Sequence, residues 1–335
     1  MPELPEVETI KRGLQRTIVG KTIQSVEVRL PKIISLGPLT VSNIRKNSRA
    51  KAAKFEKVLG GRKIVGIKRR AKMLMIKFVP PQAWGGIKGE VEPRSKQQPL
   101  SNSPLARGER GTWWLLVHLK MTGQFIFVKK GQRKIMKIFN VVGSRRLELP
   151  HQYTHVIFHF TDGSTLYYND LRQFGYLRLV RDSEIDQVRE LKEFGPEPLS
   201  RDYTYGCFAA KARTRPRLTV KQFIMDPKVV AGVGNIYSDE IMYCARVRPM
   251  RKVKSLQAAE LKKLYNCVPK ILKEALRYHG SSVGDYFRVD GSEGTYGKRH
   301  RVYGRGGQKC RRCGTIIKTV KLGGRTGSYC PNCQK

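Results

Sequence analysis

Acidic residues are scarce in this sequence, in which 26 Asp and Glu stand against 66 Lys and Arg and leave a formal net charge of +40. Such an excess excludes an ordinary enzyme of small neutral metabolites and predicts a polyanionic partner. The chain also lacks an apolar run of about 18 residues and a long amphipathic basic helix, which argues against a membrane surface. Nucleic acid is therefore the expected partner, although charge alone is also compatible with a ribosomal-type structural role.

A positively charged leader followed by an apolar stretch is missing as well, so we expect an intracellular protein. In that compartment the seven cysteines should be reduced thiols or metal ligands and not disulfides. The length of 335 residues allows two domains and a small module, and an apolar content of 40% is enough for real cores.

The first half of the chain is predicted to be an antiparallel β-sandwich preceded by a helix. Leu4, Val7, Ile10 and Leu14 form one apolar helical face, which ends near Gly20. Asp162-Gly163 is a hairpin turn signal between two predicted strands. The predicted strands are 23–28, 64–67, 73–79, 113–119, 124–128, 153–160, 165–168 and 175–180.

The second half changes to a helical period after the linker Gly195-Pro196-Glu197-Pro198. Pro269 should bend or divide the last helix, because proline lacks a backbone donor. The predicted helices are 184–194, 203–212, 220–225, 236–245 and 255–278. Two stretches fit neither half: 80–111 is predicted to be a surface insertion, and the basic 129–152 a second one that forms a hairpin tip or a loop.

The start of the chain carries candidate chemistry. Removal of Met1 would expose Pro2 as a secondary amine, which can attack a sugar aldehyde carbon, and Glu3 would stand beside it as a proton donor. An α-amino group titrates near about pH 8, so a useful neutral fraction exists at physiological pH. The alternative is a plain helix start, with proline in the first turn and with Glu3, Glu6 and Glu8 complementing the positive end of the helix macrodipole.

Four cysteines near the C-terminus form two close pairs, Cys310-x2-Cys313 and Cys330-x2-Cys333, with sixteen residues between the pairs. This spacing predicts one structural Zn²⁺ held by four thiolates, with an iron centre as the competing interpretation. Between the pairs, Lys318, Lys321 and Arg325 would project from a hairpin and grip phosphates. The turn Gly232-Val233-Gly234-Asn235 offers backbone donors for another phosphate at a helix start.

These motifs, taken in order, resemble those of formamidopyrimidine-DNA glycosylases. The resemblance covers nearly the whole chain except the two insertions. It is carried by Pro2-Glu3-Leu4-Pro5-Glu6, Arg69-Arg70-Ala71-Lys72, His118-Leu119-x-Met121-Thr122-Gly123, Gly195-Pro196-Glu197-Pro198-Leu199, Gly232-Val233-Gly234-Asn235-Ile236-Tyr237, Val302-Tyr303-Gly304-Arg305 and the four cysteines.

The resemblance implies a base-excision-repair enzyme that excises oxidised purines such as 8-oxoguanine and formamidopyrimidines, and then cuts DNA at the abasic site by β- and δ-elimination. It implies an α+β fold with a β-sandwich, a helix-two-turns-helix domain and a zinc-finger hairpin. By the same resemblance Pro2 is the Schiff-base nucleophile and Glu3 the proton donor. Lys72 would donate the proton for β-elimination, and Arg325 the proton for δ-elimination while contacting a phosphate.

Further DNA contacts follow from the resemblance. Flipping a nucleotide out of the duplex costs a few kcal/mol. The family's side chains that fill the resulting hole are matched here by Met121, Arg172 and Phe174. The loop departs from the family's usual Asp-Pro-Arg-Arg-Phe-Gly, because it reads Asp170-Leu171-Arg172-Gln173-Phe174-Gly175 and so loses a proline and one charge. The remaining implied contacts are His118, Asn235 and Lys221.

We therefore predict a catalytic domain at 1–182, a helical DNA-binding domain at 183–295 and a zinc finger at 296–335. The expected state is a monomer in the bacterial cytoplasm, associated with the nucleoid and bound to double-stranded DNA that carries oxidised bases or abasic sites. Two alternatives stay open: an endonuclease VIII-like enzyme for oxidised pyrimidines, and an inactive zinc-containing DNA-binding protein that retains Met1.

Overall fold

A computed structural model describes residues 1–38, 46–80, 111–138, 145–284 and 286–335. The predicted insertion 80–111 therefore lies almost wholly outside the described residues. An N-terminal helix and two β-sheets are followed by a helical region and a C-terminal hairpin, which is the predicted α+β class. Among the helices of these described ranges, none is long and apolar enough to cross a membrane.

The first 181 residues form a β-sandwich. One sheet has four strands in the order 23–28, 154–160, 165–170 and 123–128, and the other has five in the order 34–36, 176–181, 113–118, 73–79 and 63–70. The elements of this half are α1 (Leu4–Ile18), β1 (Ile23–Val28), β2 (Ile34–Leu36), α2 (Arg49–Leu59), β3 (Lys63–Arg70), β4 (Met73–Val79), β5 (Trp113–His118), β6 (Gly123–Val128), β7 (Ile135–Ile138), β8 (Arg145–Glu148), β9 (Thr154–Phe160), β10 (Thr165–Asp170) and β11 (Tyr176–Arg181).

The sandwich differs from the prediction in two places. The short edge strand β2 pairs in parallel with β11. These two segments are far apart in the chain, so no hairpin constrains them to be antiparallel. Helix α2 was not predicted, although Ala52, Phe55 and Leu59 repeat at helical spacing and are buried in the core. Its start is capped by Ser48, whose hydroxyl accepts the N–H of Lys51 at 3.2 Å.

Helix α1 connects two separate cores. Val7, Ile10 and Leu14 pack inside the sandwich, while Leu4, one turn earlier, belongs to the core of the helical region. Its start has a capping box, in which Glu3 is the N-cap and the backbone N–H of Glu3 donates to the Glu6 carboxylate at 2.8 Å. A single rigid helix thereby sets the position of the sandwich relative to the helical region.

In the helical region, the helix at 235–245 packs against the helix at 258–277, the longest in the described ranges. The first of these two helices also carries the hairpin at 318–329, which we call the zinc hairpin. The predicted helix 184–194 is instead a 3₁₀ turn, Asp182–Gln187, followed by one short helix. The elements of this half are α3 (Arg189–Glu193), α4 (Tyr205–Arg213), α5 (Val220–Met225), α6 (Asn235–Ala245), α7 (Ala258–Arg277), β12 (Lys318–Leu322) and β13 (Arg325–Tyr329).

Part of the second predicted insertion is a hairpin. Strands β7 and β8 pair antiparallel from Ile135 with Glu148 to Ile138 with Arg145. Met136 is buried in a small apolar cluster with Phe287 from beyond α7. Residues 139–144 of this insertion lie outside the described residues.

The expectation that every cysteine is reduced or metal-bound is wrong for one pair. Cys244 on α6 and Cys267 on α7 form a disulfide, with their Cα atoms 5.9 Å apart. Both residues lie where the two helices pack against each other, a spacing that suits a disulfide. The intracellular location expected from the sequence argued against disulfides, and it carries no information on which cysteines the fold brings into contact.

Pro269 does not divide α7, which is helical on both sides of it. A proline at this position leaves the carbonyl of Tyr265, four residues earlier, without its usual helical donor. The hydroxyl of Tyr203 donates to that carbonyl at 3.4 Å, and Tyr203 and Tyr265 stack with ring centroids 4.7 Å apart. A tertiary contact thus satisfies the backbone group that the proline frees.

We expect Tyr203→Phe to lower the free energy of unfolding by about 0.5–1.5 kcal/mol, because it removes the donor to this carbonyl. In a Pro269→Ala background the helix supplies its own donor, so the same substitution should cost less. Denaturant unfolding of the four proteins measures this coupling, with Tyr153→Phe in the sandwich as the control. Equal losses in the two backgrounds would contradict the role given to Tyr203.

Candidate active site and nucleic-acid interface

The carboxylate of Glu3 lies on the N-terminus of α6. Its oxygens accept the backbone N–H groups of Gly234 at 2.6 Å, Ile236 at 2.8 Å and Tyr237 at 3.4 Å. The first turn of a helix offers unpaired N–H groups and a positive dipole end, which suits a carboxylate. The predicted phosphate-binding turn 232–235 is thus used, at least in part, to hold Glu3.

Gly234 allows this close approach. A Cβ at this position would lie 2.5 Å from Cδ of Glu3 and 2.8 Å from Nζ of Lys72. The ammonium of Lys72 and the carboxylate of Glu3 therefore both lie next to the position that a side chain of residue 234 would occupy. Glu3 and Lys72 come from separate sequence motifs, and the fold brings them together.

Lys72 is positioned by the turn between β3 and β4. Glu197, from the predicted linker, accepts the backbone N–H of Ala71 at 2.6 Å and pairs with Arg69 at 2.8 Å. Arg69 also contacts Glu8 on α1 at 3.0 Å. Burial lowers the pKa of Lys72, the carboxylates of Glu3 and Glu6 act in the opposite direction, and Arg325 and Lys120 lower it further.

Glu6 has a larger role than the macrodipole interpretation gave it. Besides the Glu3 N–H, its carboxylate accepts the Tyr237 hydroxyl on α6 and the backbone N–H of Ser281 at 2.8 Å. Burial raises the pKa of Glu6, and the charge of Glu3 adds to the effect. The sequence did contain a signal for this role. Acidic residues are rare in this chain, and Glu6 lies three residues after Glu3 in the same N-terminal motif.

Pro2 is buried at the start of this arrangement, whereas Met1 is exposed. The backbone just after it is fixed, since the N–H of Leu4 donates to the carbonyl of Gly232 at 3.0 Å. Pro2 and Glu3 therefore stand at the junction between the sandwich and the helical region. Removal of Met1 would leave the Pro2 nitrogen at this junction.

The three predicted hole-filling residues lie on two neighbouring turns of the sandwich. Arg172 reaches Met121, with Nη1 3.2 Å from the sulfur, and Phe174 is 46% exposed. Asp170 anchors the loop, because it accepts the Thr122 hydroxyl and the Gly175 N–H, the latter at 2.7 Å. The loop keeps its shape through this buried acid despite lacking the family's proline.

His118 supports the neighbouring turn. Its Nδ1 accepts the backbone N–H of Lys120 at 3.0 Å, so that nitrogen carries no proton. Burial, together with the charges of Lys120 and Lys72, lowers the pKa of His118 to about 3. The imidazole is therefore neutral at physiological pH and brings no positive charge to a phosphate.

Asn235 is the first residue of α6, one residue after Gly234. Its Oδ1 is buried and has no hydrogen-bond partner among the residues that the structure describes. Its side chain also interacts with the hydroxyl of Tyr303. The amide thus stands at the same helix start as the Glu3 carboxylate.

Lys221, which is predicted to contact DNA, lies where α5, α6 and the zinc hairpin meet. Lys221 is 1% exposed, and its ammonium bonds Asp239 at 2.5 Å and the Ser238 hydroxyl at 3.2 Å. The other oxygen of Asp239 accepts the N–H of Ser328 on β13 at 2.8 Å. The buried ion pair thus links α5 to α6, and Asp239 extends the link to the zinc hairpin.

Arg325 is exposed at the start of β13, beside the turn Gly323-Gly324, where both glycines have positive φ. Its charge acts on the pKa of Lys72, so the hairpin tip faces the turn that carries Lys72. Glu240 holds the base of this module: its buried carboxylate accepts the backbone N–H groups of Arg301, Val302 and Tyr303 at 2.9–3.0 Å. The motif at 302–305 is therefore an anchor on α6.

The four cysteines of the predicted metal site converge. Their sulfur atoms lie within 4.8 Å of one another, with separations of 3.4 Å for Cys313 and Cys333 and 4.0 Å for Cys310 and Cys333. A tetrahedral Zn²⁺ with bonds of about 2.3 Å needs sulfurs about 3.8 Å apart. The cluster fits one structural zinc, and four protein ligands leave no position for a reacting water.

Removal of the metal should loosen the hairpin while the sandwich stays folded, because the small core at the base of β12 and β13 is built around the cysteines. Chelation or Cys333→Ser should therefore speed amide exchange in 318–329, with Cys207→Ser, a free cysteine outside the cluster, as the control. Amide-exchange mass spectrometry and zinc analysis measure the effect. Equal protection in zinc-free and zinc-loaded protein would contradict it.

Three family models match the chain. The formamidopyrimidine-DNA glycosylase N-terminal domain matches residues 1–177, the formamidopyrimidine-DNA glycosylase H2TH domain matches 194–286, and the zinc finger found in FPG and IleRS matches 307–335. Formamidopyrimidine-DNA glycosylase of Heliobacterium modesticaldum is 34% identical over 336 residues, and that of Listeria monocytogenes is 33% identical over 335, each match covering 100% of both chains.

Solved structures agree with these matches. The Lactococcus lactis Fpg in complex with DNA containing an abasic site has a TM-score of 0.74 and 27% identity, with 99% of each chain covered. A point mutant of the same protein in complex with Fapy-dG DNA also has a TM-score of 0.74, with 28% identity and 100% of each chain covered. With Glu3, Lys72 and the four cysteines gathered as described, this chain belongs to the formamidopyrimidine-DNA glycosylase family.

Proposed function

We propose that this chain excises oxidised purines, 8-oxoguanine and formamidopyrimidines, from duplex DNA and then nicks the strand at the abasic site. The observation that carries this is the placement of the Glu3 carboxylate and the Lys72 ammonium at Gly234, with Glu3 next to Pro2 in the chain. The complexes of the Lactococcus lactis protein with abasic-site and Fapy-dG DNA support the same substrate class. The charge of +40 supplies the long-range attraction to DNA.

In the proposed mechanism, the Pro2 nitrogen, freed by removal of Met1, attacks the sugar C1′ as the damaged base leaves. Glu3 donates a proton to the sugar ring oxygen, which opens the ring and leaves an iminium between Pro2 and C1′. The iminium withdraws electrons and makes the neighbouring sugar protons acidic. Loss of one such proton expels the 3′ phosphate by β-elimination, and loss of a second sugar proton expels the 5′ phosphate by δ-elimination, so that a one-nucleotide gap remains.

The cations around Glu3 are suited to the elimination steps. A lysine whose pKa is lowered by burial gives up its proton more readily, and we assign Lys72 the proton for β-elimination. Arg325, exposed at the hairpin tip, is assigned to a phosphate and to δ-elimination. The zinc holds that hairpin and takes part in no step.

We assign Met121, Arg172 and Phe174 to the hole left by the flipped nucleotide, and Asn235 to a phosphate of the damaged strand. The contact between Arg172 and Met121 and the exposure of Phe174 support a wedge at one edge of the cleft. His118 and Lys221 act through other residues, the first through the 118–123 turn and the second through Asp239.

The proposed functional units are a catalytic domain at 1–182, a DNA-binding domain at 183–295 and a zinc finger at 296–335. We propose that the protein acts as a monomer, since a single chain supplies every residue assigned to the reaction. Its place would be the cytoplasm, at the nucleoid, and the relatives reported above are bacterial proteins.

Borohydride trapping on a duplex with 8-oxoguanine opposite cytosine tests the assignment. The cross-link should map to Pro2, and Glu3→Gln should slow base release far more than cleavage of a preformed abasic site. Glu27→Gln, at an exposed carboxylate on β1, is the control for loss of one charge. Trapping only on thymine-glycol DNA would move the chain to oxidised pyrimidines, and no trapping despite tight binding would refute covalent chemistry.

Gly234→Ala should reduce base release by about 10²-fold, because the new methyl group displaces both Glu3 and Lys72, and displacements of about 1 Å are costly in an active site. Gly206→Ala on α4 has open space around the added carbon and should behave like wild type. Single-turnover base release, with thermal unfolding alongside, measures both. Unchanged release by Gly234→Ala would contradict the geometry assigned to the site.

A further inference from the structure

The zinc module, by which we mean residues 296–335, has a second cationic end, away from Arg325. Arg325 opens β13, a strand of five residues, and Cys330 follows directly after it. Five residues of strand extend about 17 Å, so the hairpin tip and the cysteine cluster are well separated. Between the metal ligands Cys310 and Cys313 the chain carries Arg311 and Arg312, both exposed. We refer to Arg299, Arg311 and Arg312 together as the knuckle surface.

Two cavities, of about 300 and 360 Å³, open at the knuckle surface. Arg299 and Arg311 line both of them, so the cavities adjoin. Each is large enough for a phosphate group with its ester neighbours. The first is completed by Tyr243, Glu274, Arg301 and Arg312, and the second by Tyr278, Thr295 and Lys298.

Aromatic rings hold two of the guanidinium groups in place. Arg299 lies 3.9 Å from the ring centroid of Tyr278, and Arg312 lies 4.6 Å from that of Tyr243. The Tyr243 hydroxyl is itself 3.4 Å from the Cys310 sulfur, which ties this ring to the zinc cluster. A stacked arginine keeps its planar N–H donors free at the edge and loses little entropy when it binds a phosphate.

The positive charge of this surface is not neutralised within the described part of the protein. Glu274 is the one carboxylate that lines either cavity, and Arg301 binds both of its oxygens, at 2.8 and 2.9 Å. Within the residues that the structure describes, no carboxylate lies within ion-pair distance of Arg299, Arg311 or Arg312. Arg311 donates only to a backbone carbonyl, that of Lys298, at 3.3 Å.

We propose that the knuckle surface binds phosphate groups of a nucleic-acid backbone, outside the cleft that contains Glu3, Lys72 and Arg325. Fixed guanidinium edges at adjoining cavities match successive phosphates of a strand better than the single carboxylates of an acidic peptide. The phosphates come either from an arm of the duplex that is held in the cleft, or from a second nucleic-acid molecule. The protein would then contact DNA at two places, with the zinc cluster between them.

The test compares the zinc-loaded triple variant R299Q/R311Q/R312Q with K54Q/K129Q/R201Q, which removes the same three charges at exposed positions elsewhere. Binding is measured against salt concentration for a short duplex that fills only the cleft and for duplexes extended on either side. Each phosphate contact contributes about 0.9 to the slope of log K against log salt. Mass photometry counts the duplexes bound per protein.

If an arm of the same duplex is the ligand, the extended duplex should raise the wild-type slope by about 1–3, corresponding to one to three added phosphate contacts. The knuckle variant should lose that gain while the control variant keeps it. If a second molecule is the ligand, wild type should bind two short duplexes and the knuckle variant one. Equal slopes and equal stoichiometry in the two variants would overturn the proposal. Failure of wild type to bind the short duplex would instead count against the function proposed for the cleft.

Discussion

The contact of the Glu3 carboxylate with the start of α6 is the interaction on which the site depends. It joins two chain segments more than 200 residues apart, and it uses N–H groups that a helix cannot satisfy by itself. Since α1 is buried in the sandwich core and Leu4 in the helical core, this contact also fixes how the two halves meet. The reactive end of the chain is therefore placed by the same packing that closes the fold.

Most of the structural organisation around the cleft comes from the few acidic residues. Glu6, Glu197 and Glu240 each accept backbone N–H groups from another element, and Asp239 links a buried lysine to the zinc hairpin. A carboxylate can accept several such bonds, and charge-assisted bonds are the stronger kind. In a chain of net charge +40, these four acids hold separate elements together, and exposed cations such as Arg325 remain available to an anionic partner.

The zinc module shows how the two kinds of group combine. Asp239 and Glu240, neighbours on α6, hold its hairpin and the motif at 302–305, and the cysteine cluster closes its base. The module presents Arg325 at one end and the knuckle surface at the other. Both ends are attached to α6, whose first turn binds Glu3.

Sequence patterns were enough to predict the α1 helix, most of the sandwich strands, the zinc ligands and the polyanionic partner, because periodicity, ligand spacing and net charge are local or additive properties. The folded structure was needed to show which groups meet: that Lys221 is buried against Asp239, that Glu197 holds the Lys72 turn, that Cys244 pairs with Cys267, and that the Tyr203 hydroxyl bonds the carbonyl freed by Pro269. A pattern along the chain identifies a buried face but not the residue that packs against it. Contacts between distant segments depend on how whole elements pack, and that packing is a property of the complete fold.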